Sequence, residues 1–161
     1  MSTYEFTMSV RQAARHQYQA IVDLAQSQAG ELRVPPEGWL RTVRKALGMS
    51  GAQLAKRMRL TRARVAQAEK AELEGGVTLK SMQAAAEAMG CRFVYAIVPP
   101  VTVDNVVIEQ ARKKALATVG AASKHMALEN QAVSDSRTQH EVARLMNELI
   151  YEMPPDFWED K

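Results

Sequence analysis

Between Glu37 and Gly90 the chain is cut into short pieces by residues that start and stop helices. The piece from Glu37 to Leu47 ends at Gly48, and Ser50 can cap the next, with Gln53 three residues on to complete a capping box. Thr61 opens a third piece that runs to about Leu73 and stops at Gly75-Gly76, and Thr78 opens a fourth that ends at Gly90. Helices this short are marginal alone in water, so the four must bury faces against one another. Trp39, Leu40, Val43, Leu47, Leu54, Ala55, Met58, Val65, Ala68, Leu79, Met82, Ala86 and Met89 supply one shared core. Aromatics make up only 6% of the 161 residues, and Ala, Leu, Met, Gln, Arg, Lys and Glu dominate. These lose least on entering a helix, so the expected class is all-α.

The flanks are helical too. Val10, Ala14, Tyr18, Ile21 and Ala25 recur at helical spacing between Met8 and Gln28, and Gly30 with Val34-Pro35-Pro36 breaks the pattern. Beyond residue 100, Ile108, Ala111, Ala115, Val119, Ala122 and Met126 form one stripe. Val142, Leu145, Met146, Leu149 and Ile150 form another, closed by Pro154-Pro155. The expected organisation is an N-terminal helix and linker (1–36), a central helical domain (37–100) and a C-terminal helical extension (101–161). Within the central part, Phe93, Val94, Tyr95, Ala96, Ile97 and Val98 read as one β-strand, being rich in β-branched and aromatic residues. A lone strand needs a partner. The candidates are Thr3–Met8 of the same chain and the same strand of a two-fold-related subunit, and the second is the expectation taken.

Net charge is +3, but its distribution is uneven. From Glu37 to Gly75 there are nine Lys or Arg against four acids, a balance of +5; from Glu141 to Lys161 the balance is two against six, or −4. The basic stretch Ser50–Lys70 also has the layout of a helix-turn-helix. Leu54-Ala55 give the first helix a buried face, Leu60 sits in the turn, Thr61 starts the second helix, and Val65 and Ala68 point that helix to the core. Its other face is left with Arg62, Ala63, Arg64 and Gln67, at the end that would enter a major groove first. Arg can donate two hydrogen bonds to guanine and Gln can pair bidentately with adenine, so these are candidate base readers of double-stranded DNA. Ser50, Gly51, Thr61, Lys56, Arg57, Arg41 and Arg44 are candidates for backbone phosphates. The turn position that usually carries Gly is Arg59, which must then tolerate a left-handed conformation.

Other chemistries find little footing. His16, His125 and His140 have no metal-ligand spacing with Cys91 or a carboxylate, and there is no phosphate-binding Gly loop or serine elbow, so neither enzyme activity nor a metal or cofactor is expected. A single cysteine excludes an intrachain disulfide and suits a reducing compartment; Cys91 reads as a small core residue. No export signal and no run of 18 apolar residues is present, so a cytoplasmic protein that does not span a membrane is expected. Trp39 reads as core. Phe157 and Trp158, in an acidic Pro-flanked tail, either pack on the body or anchor a protein partner.

Residues 39–98 resemble the Cro/repressor-like (Xre) helix-turn-helix family. The resemblance extends to Gly38-Trp39-Leu40-Arg41, Ala46-Leu47-Gly48-Met49-Ser50, Thr78-Leu79, Ala85-Ala86-Glu87-Ala88-Met89-Gly90-Cys91, Val94-Tyr95-Ala96-Ile97-Val98-Pro99, His125-Met126-Ala127-Leu128-Glu129-Asn130-Gln131-Ala132-Val133 and Phe157-Trp158. Together these look like the family called mobile mystery protein A, over nearly the whole chain. That resemblance implies a bacterial protein that acts as antitoxin to a neighbouring Fic-domain protein and represses its own operon; the two-fold strand pairing expected above would make it a homodimer. It does not extend to inhibition by an inserted glutamate: Glu74-Gly75 follows Lys70, and Glu129-Asn130 follows His125, where a Ser or Thr would stand. The alternatives are an Xre-type regulator with no toxin partner and a protein-binding inhibitor with little DNA specificity.

Overall fold

The computed structural model describes residues 9–128 and 135–160. These form seven helices: α1 (Val10–Ala29), α2 (Trp39–Ala46), α3 (Gly51–Met58), α4 (Arg62–Glu74), α5 (Leu79–Ala88), α6 (Val103–Leu128) and α7 (Asp135–Glu152). Two compact units share them, one of Glu31–Ala96 and one of Met1–Gly30 with Ile97–Lys161. No helix among the described residues is long and apolar enough to cross a membrane.

In the 31–96 unit, α2 to α5 close around Leu40, Leu54, Ala55, Val65, Met82, Ala85 and Met89, with Trp39, Val43, Met58, Ala68 and Phe93 packed on that cluster. Leu47 and Leu79, expected in this core, are instead about half exposed. Both lie at the edges of their helices, where neighbouring chain does not cover them. The caps that delimit the elements form as their residues suggest: Ser50 with Gln53, Thr61 with Arg64, Thr78 with Ser81. The start of α2 is the exception, since Gly38 has no side chain to cap it. The Glu72 carboxylate reaches from α4 instead and accepts the Trp39 and Leu40 N–H groups at 2.6 and 3.0 Å. Gly38 sits at φ 79°, and a Cβ there would lie 2.8 Å from Glu72 Oε2, so only glycine fits that approach.

The expected strand does not form. Phe93, Val94, Tyr95, Ala96, Ile97 and Val98 belong to neither helix nor strand, and the fold among the described residues is helical only. Thr3–Met8 lies wholly outside the described residues, and among the described residues no strand is formed to pair with 93–98. β-branched and aromatic content reports fitness for a half-buried pleated surface, not the presence of a neighbour. What the segment does instead is pack locally: Phe93 settles on the core and stacks on Tyr95 at 5.8 Å, while Ile97 is 93% exposed. Cys91, expected in the core, is exposed just past the end of α5.

The second unit centres on Val107, Ala111 and Phe157, with Val103, Met146, Leu149, Ile150 and Met153 around them. Here α6 and α7 pack along each other and the tail folds back over α6. Phe157 is among the most buried side chains, its carbonyl accepting from Gln110 Nε2 at 2.8 Å, while Lys113 pairs with Asp160 at 2.6 Å and Lys114 with Asp156. α1 lies on this unit through polar side chains: Gln19 donates to Asp104, Asp23 accepts from the Val103 N–H, and Arg15 Nη1 donates to Met153 Sδ.

Candidate nucleic-acid interface

The geometry of α3, its turn and α4 follows from three residues. Ser50 Oγ accepts the Gln53 N–H at 3.1 Å, and Gln53 Oε1 accepts the Ser50 N–H at 2.7 Å, which fixes where α3 begins. Arg59 ends it in the left-handed region at φ 57°, ψ 39°. That conformation turns the chain so that the Leu60 N–H reaches Ala55 O at 2.9 Å and the Arg59 N–H reaches Lys56 O at 3.2 Å, the paired bonds of a Schellman close. Thr61 then restarts the helix, its hydroxyl accepting from the Arg64 N–H at 3.3 Å. The starts of α3 and α4 come side by side, with a Cβ on Gly51 falling 3.9 Å from Arg62 Cγ.

The inner face of α4 carries Val65, Ala68, Glu69 and Glu72. Val65 is 3% exposed and anchors the helix against the core. Glu69 takes a bidentate grip from Arg44 of α2, Nε at 2.6 Å and Nη2 at 3.1 Å, while Arg44 Nη1 donates to Met49 O. Both side chains are nearly covered, and the hydrogen bond to Glu69 raises the Arg44 pKa above its ordinary value against the opposing effect of burial. Glu72 holds the start of α2, so every inward polar group of α4 has a structural partner.

The outer face is different. Arg62, Ala63, Arg64, Ala66, Gln67 and Lys70 are all exposed. At about 100° per residue, Ala63, Gln67 and Lys70 share the outward ridge, with Arg62 on the flank toward α3 and Arg64 on the other. Among the described residues no hydrogen bond or ion pair engages the Arg62, Arg64 or Gln67 side chains, and Lys70 meets only its neighbour Glu74 at 3.6 Å across solvent. An exposed pair of that kind holds little. Arg62, Arg64 and Gln67 stand in the N-terminal half of the helix, whose orphan N–H groups and dipole favour a negative ligand, and Lys70 lies one turn further on.

The remaining candidates separate into two groups. Ser50, Gly51 and Thr61 lie at the adjoining starts of α3 and α4, and Lys56 is exposed on α3. Arg44, by contrast, spends its guanidinium on Glu69, and Arg57 Nε donates to Ala88 O at the end of α5. Arg41 stays half exposed beside Glu37, 3.8 Å away, with Lys45 closer to the same carboxylate at 2.9 Å. The Lys45 hydrogen bond holds Glu37 below the usual carboxylate range. Two basic residues of the exposed surface, Arg59 in the turn and Lys70 on the ridge, were not among the sequence candidates. For Lys70 a signal existed, since it stands three residues after Gln67 and seven after Ala63.

A helix-turn-helix family model of the Xre type matches residues 40–95, about a third of the chain, spanning α2 from its second residue through α5. No curated protein and no solved structure matches the chain. Residues 40–95 are therefore an Xre-type helix-turn-helix domain, of the kind found in DNA-binding transcriptional regulators.

Proposed function

We propose that this chain is a sequence-specific transcriptional repressor that reads double-stranded DNA with α4 and acts as a homodimer on an inverted repeat. The observation that carries the reading is the division of labour on α4: its inward carboxylates are consumed by Arg44 and by the start of α2, while Arg62, Arg64 and Gln67 face outward with no partner of their own among the described residues. Arg64 and Gln67 supply the donors and acceptors that guanine and adenine edges display in the major groove, and Ala63 leaves room for a thymine methyl. Arg62, beside the start of α3, stands where it reaches either a base or the bordering phosphate. Ser50, Gly51, Thr61 and Lys56, with Arg41 at the periphery, hold the DNA backbone and set the angle of entry.

The resemblance to the mobile mystery protein A family adds a role in an operon: antitoxin to a neighbouring Fic-domain protein and repressor of the shared promoter. Trp158, 57% exposed on a tail otherwise pinned to α6, favours this second interaction as an aromatic anchor. Phe157 does not serve that purpose, since it is core. Truncating the tail would therefore unfold the unit, and Trp158→Ala is the informative change; retained co-purification with the Fic protein would remove Trp158 as the anchor.

A footprint on the DNA upstream of the protein's own coding region tests the main reading. Protection of two half-sites one helical turn apart, or a multiple of it, is expected. Uniform protection with no preferred position would count against it.

A further inference from the structure

The apolar stripe of α1 points away from the body on which α1 packs. At about 100° per residue, Gln12, Arg15, Gln19, Asp23 and Gln26 share one face. That is the face held down, through Gln19 to Asp104 at 2.8 Å, Asp23 to the Val103 N–H at 2.8 Å and Gln26 to Pro100 O at 3.3 Å. Gln19, not a hydrophobic residue, is the buried residue of the helix. The opposite face carries Val10, Ala14, Tyr18, Ile21, Leu24 and Ala25, with the exposed Gln17 in its middle, and the four large apolar ones are 88%, 70%, 65% and 58% exposed in chain order. An amphipathic helix ordinarily buries that stripe, and an open apolar strip over more than four turns marks a contact surface.

We propose that the stripe is covered by the same stripe of a second copy, the two α1 helices running antiparallel about a two-fold axis between Gln17 and Tyr18. The size pattern is the first reason. With the axis there, Ala14 faces Ile21 of the second copy and Val10 faces its Ala25, a large side chain against a small one each time, as self-complementary packing requires. Charge is the second. The antiparallel register lays Arg11 along the aliphatic Leu24 and keeps the two Arg11 groups about 20 Å apart, whereas a parallel pair would set Arg11 against Arg11.

Area decides the strength. The four large side chains leave on the order of 500 Å² open per copy, so covering both stripes removes on the order of 1,000 Å², near the lower limit of a specific interface. A weak dimer follows, populated when concentrated or when two copies are brought together on neighbouring half-sites. The inference deepens the homodimer reading above and locates the surface that joins the copies.

Sedimentation of the full chain over a hundredfold concentration range should show a monomer–dimer equilibrium, which Ile21→Asp weakens at least about tenfold by burying a carboxylate against Ala14. Ile21 is exposed, so the variant should keep its helical circular dichroism. In a Cys91→Ser background, Gln17→Cys should form a disulfide dimer with itself. Ala14→Cys and Ile21→Cys should each fail alone but cross-link when mixed. A wild-type chain that stays monomeric throughout, an unchanged equilibrium in Ile21→Asp, or self-cross-linking of Ala14→Cys would each overturn the arrangement. Binding to anionic lipid vesicles without self-association would do the same and assign the stripe to a membrane surface. On DNA, Ile21→Asp should bind a single half-site as wild type does and lose its preference for the full inverted repeat. Failure of the wild type to bind a half-site would instead count against DNA reading and leave the dimer test standing.

Discussion

Arg59 carries a backbone conformation that costs any residue with a Cβ about 1 kcal/mol or more, and it does so at the turn on which the placement of α4 depends. Arg59→Gly should raise stability by about 0.5–1 kcal/mol in urea unfolding, because glycine adopts φ 57° without that cost. The same substitution removes an exposed cation beside the proposed reading helix; if the turn borders bound DNA, the salt slope of binding should flatten. Gly38 is the converse case. Gly38→Ala combines a positive φ with a Cβ 2.8 Å from the Glu72 carboxylate, and should destabilise by roughly 2 kcal/mol or more, read as a lower urea midpoint at unchanged slope. For recognition, Arg64→Ala should relax sequence preference by roughly 1–3 kcal/mol at one position, whereas Lys56→Ala should weaken binding to all sequences alike and reduce the salt slope by about one. Competition titrations with operator variants at two salt concentrations separate the two behaviours.

At the scale of elements, α3 and α4 were legible because local chemistry delimits them. Ser50, Gln53 and Thr61 act on N–H groups within three residues, so what the sequence spells is what the helix ends use. What was not legible depends on partners distant in the chain. Arg44 looked like a free cation, but Glu69 lies opposite it once α2 and α4 pack. The segment 93–98 has strand-like composition, yet no strand forms among the described residues. In α1 the apolar periodicity located the helix correctly, yet its buried face is the polar one, because Asp104, the Val103 N–H and Pro100 O offer hydrogen bonds on that side. The Arg44–Glu69 pair gives a prediction at this scale. With both side chains nearly covered, Arg44→Met alone should cost about 2–4 kcal/mol by leaving Glu69 unpaired, and adding Glu69→Leu should recover most of it. A double-mutant cycle in urea measures the coupling; additive single losses would show that the pair adds nothing to the α2–α4 contact.

For the whole molecule, the two units carry different exposed features, which the proposals above assign to different tasks. The unit of Glu31–Ala96 offers an outward helix of unengaged arginine and glutamine, and the other unit carries the exposed α1 stripe and Trp158. DNA affinity should thus depend on salt and on α4, while self-association should depend on α1 and respond little to changes in α4. Everything turns on whether α4 reads bases. Selection of binding sites from a random duplex library, run in parallel with the wild-type chain and with the Arg62→Ala/Arg64→Ala/Gln67→Ala variant, measures this directly. The wild type should enrich one half-site motif, arranged as an inverted repeat, and the variant should retain salt-sensitive binding while enriching no motif. Enrichment of the same motif by both chains, or of none by the wild type, would contradict base reading by α4.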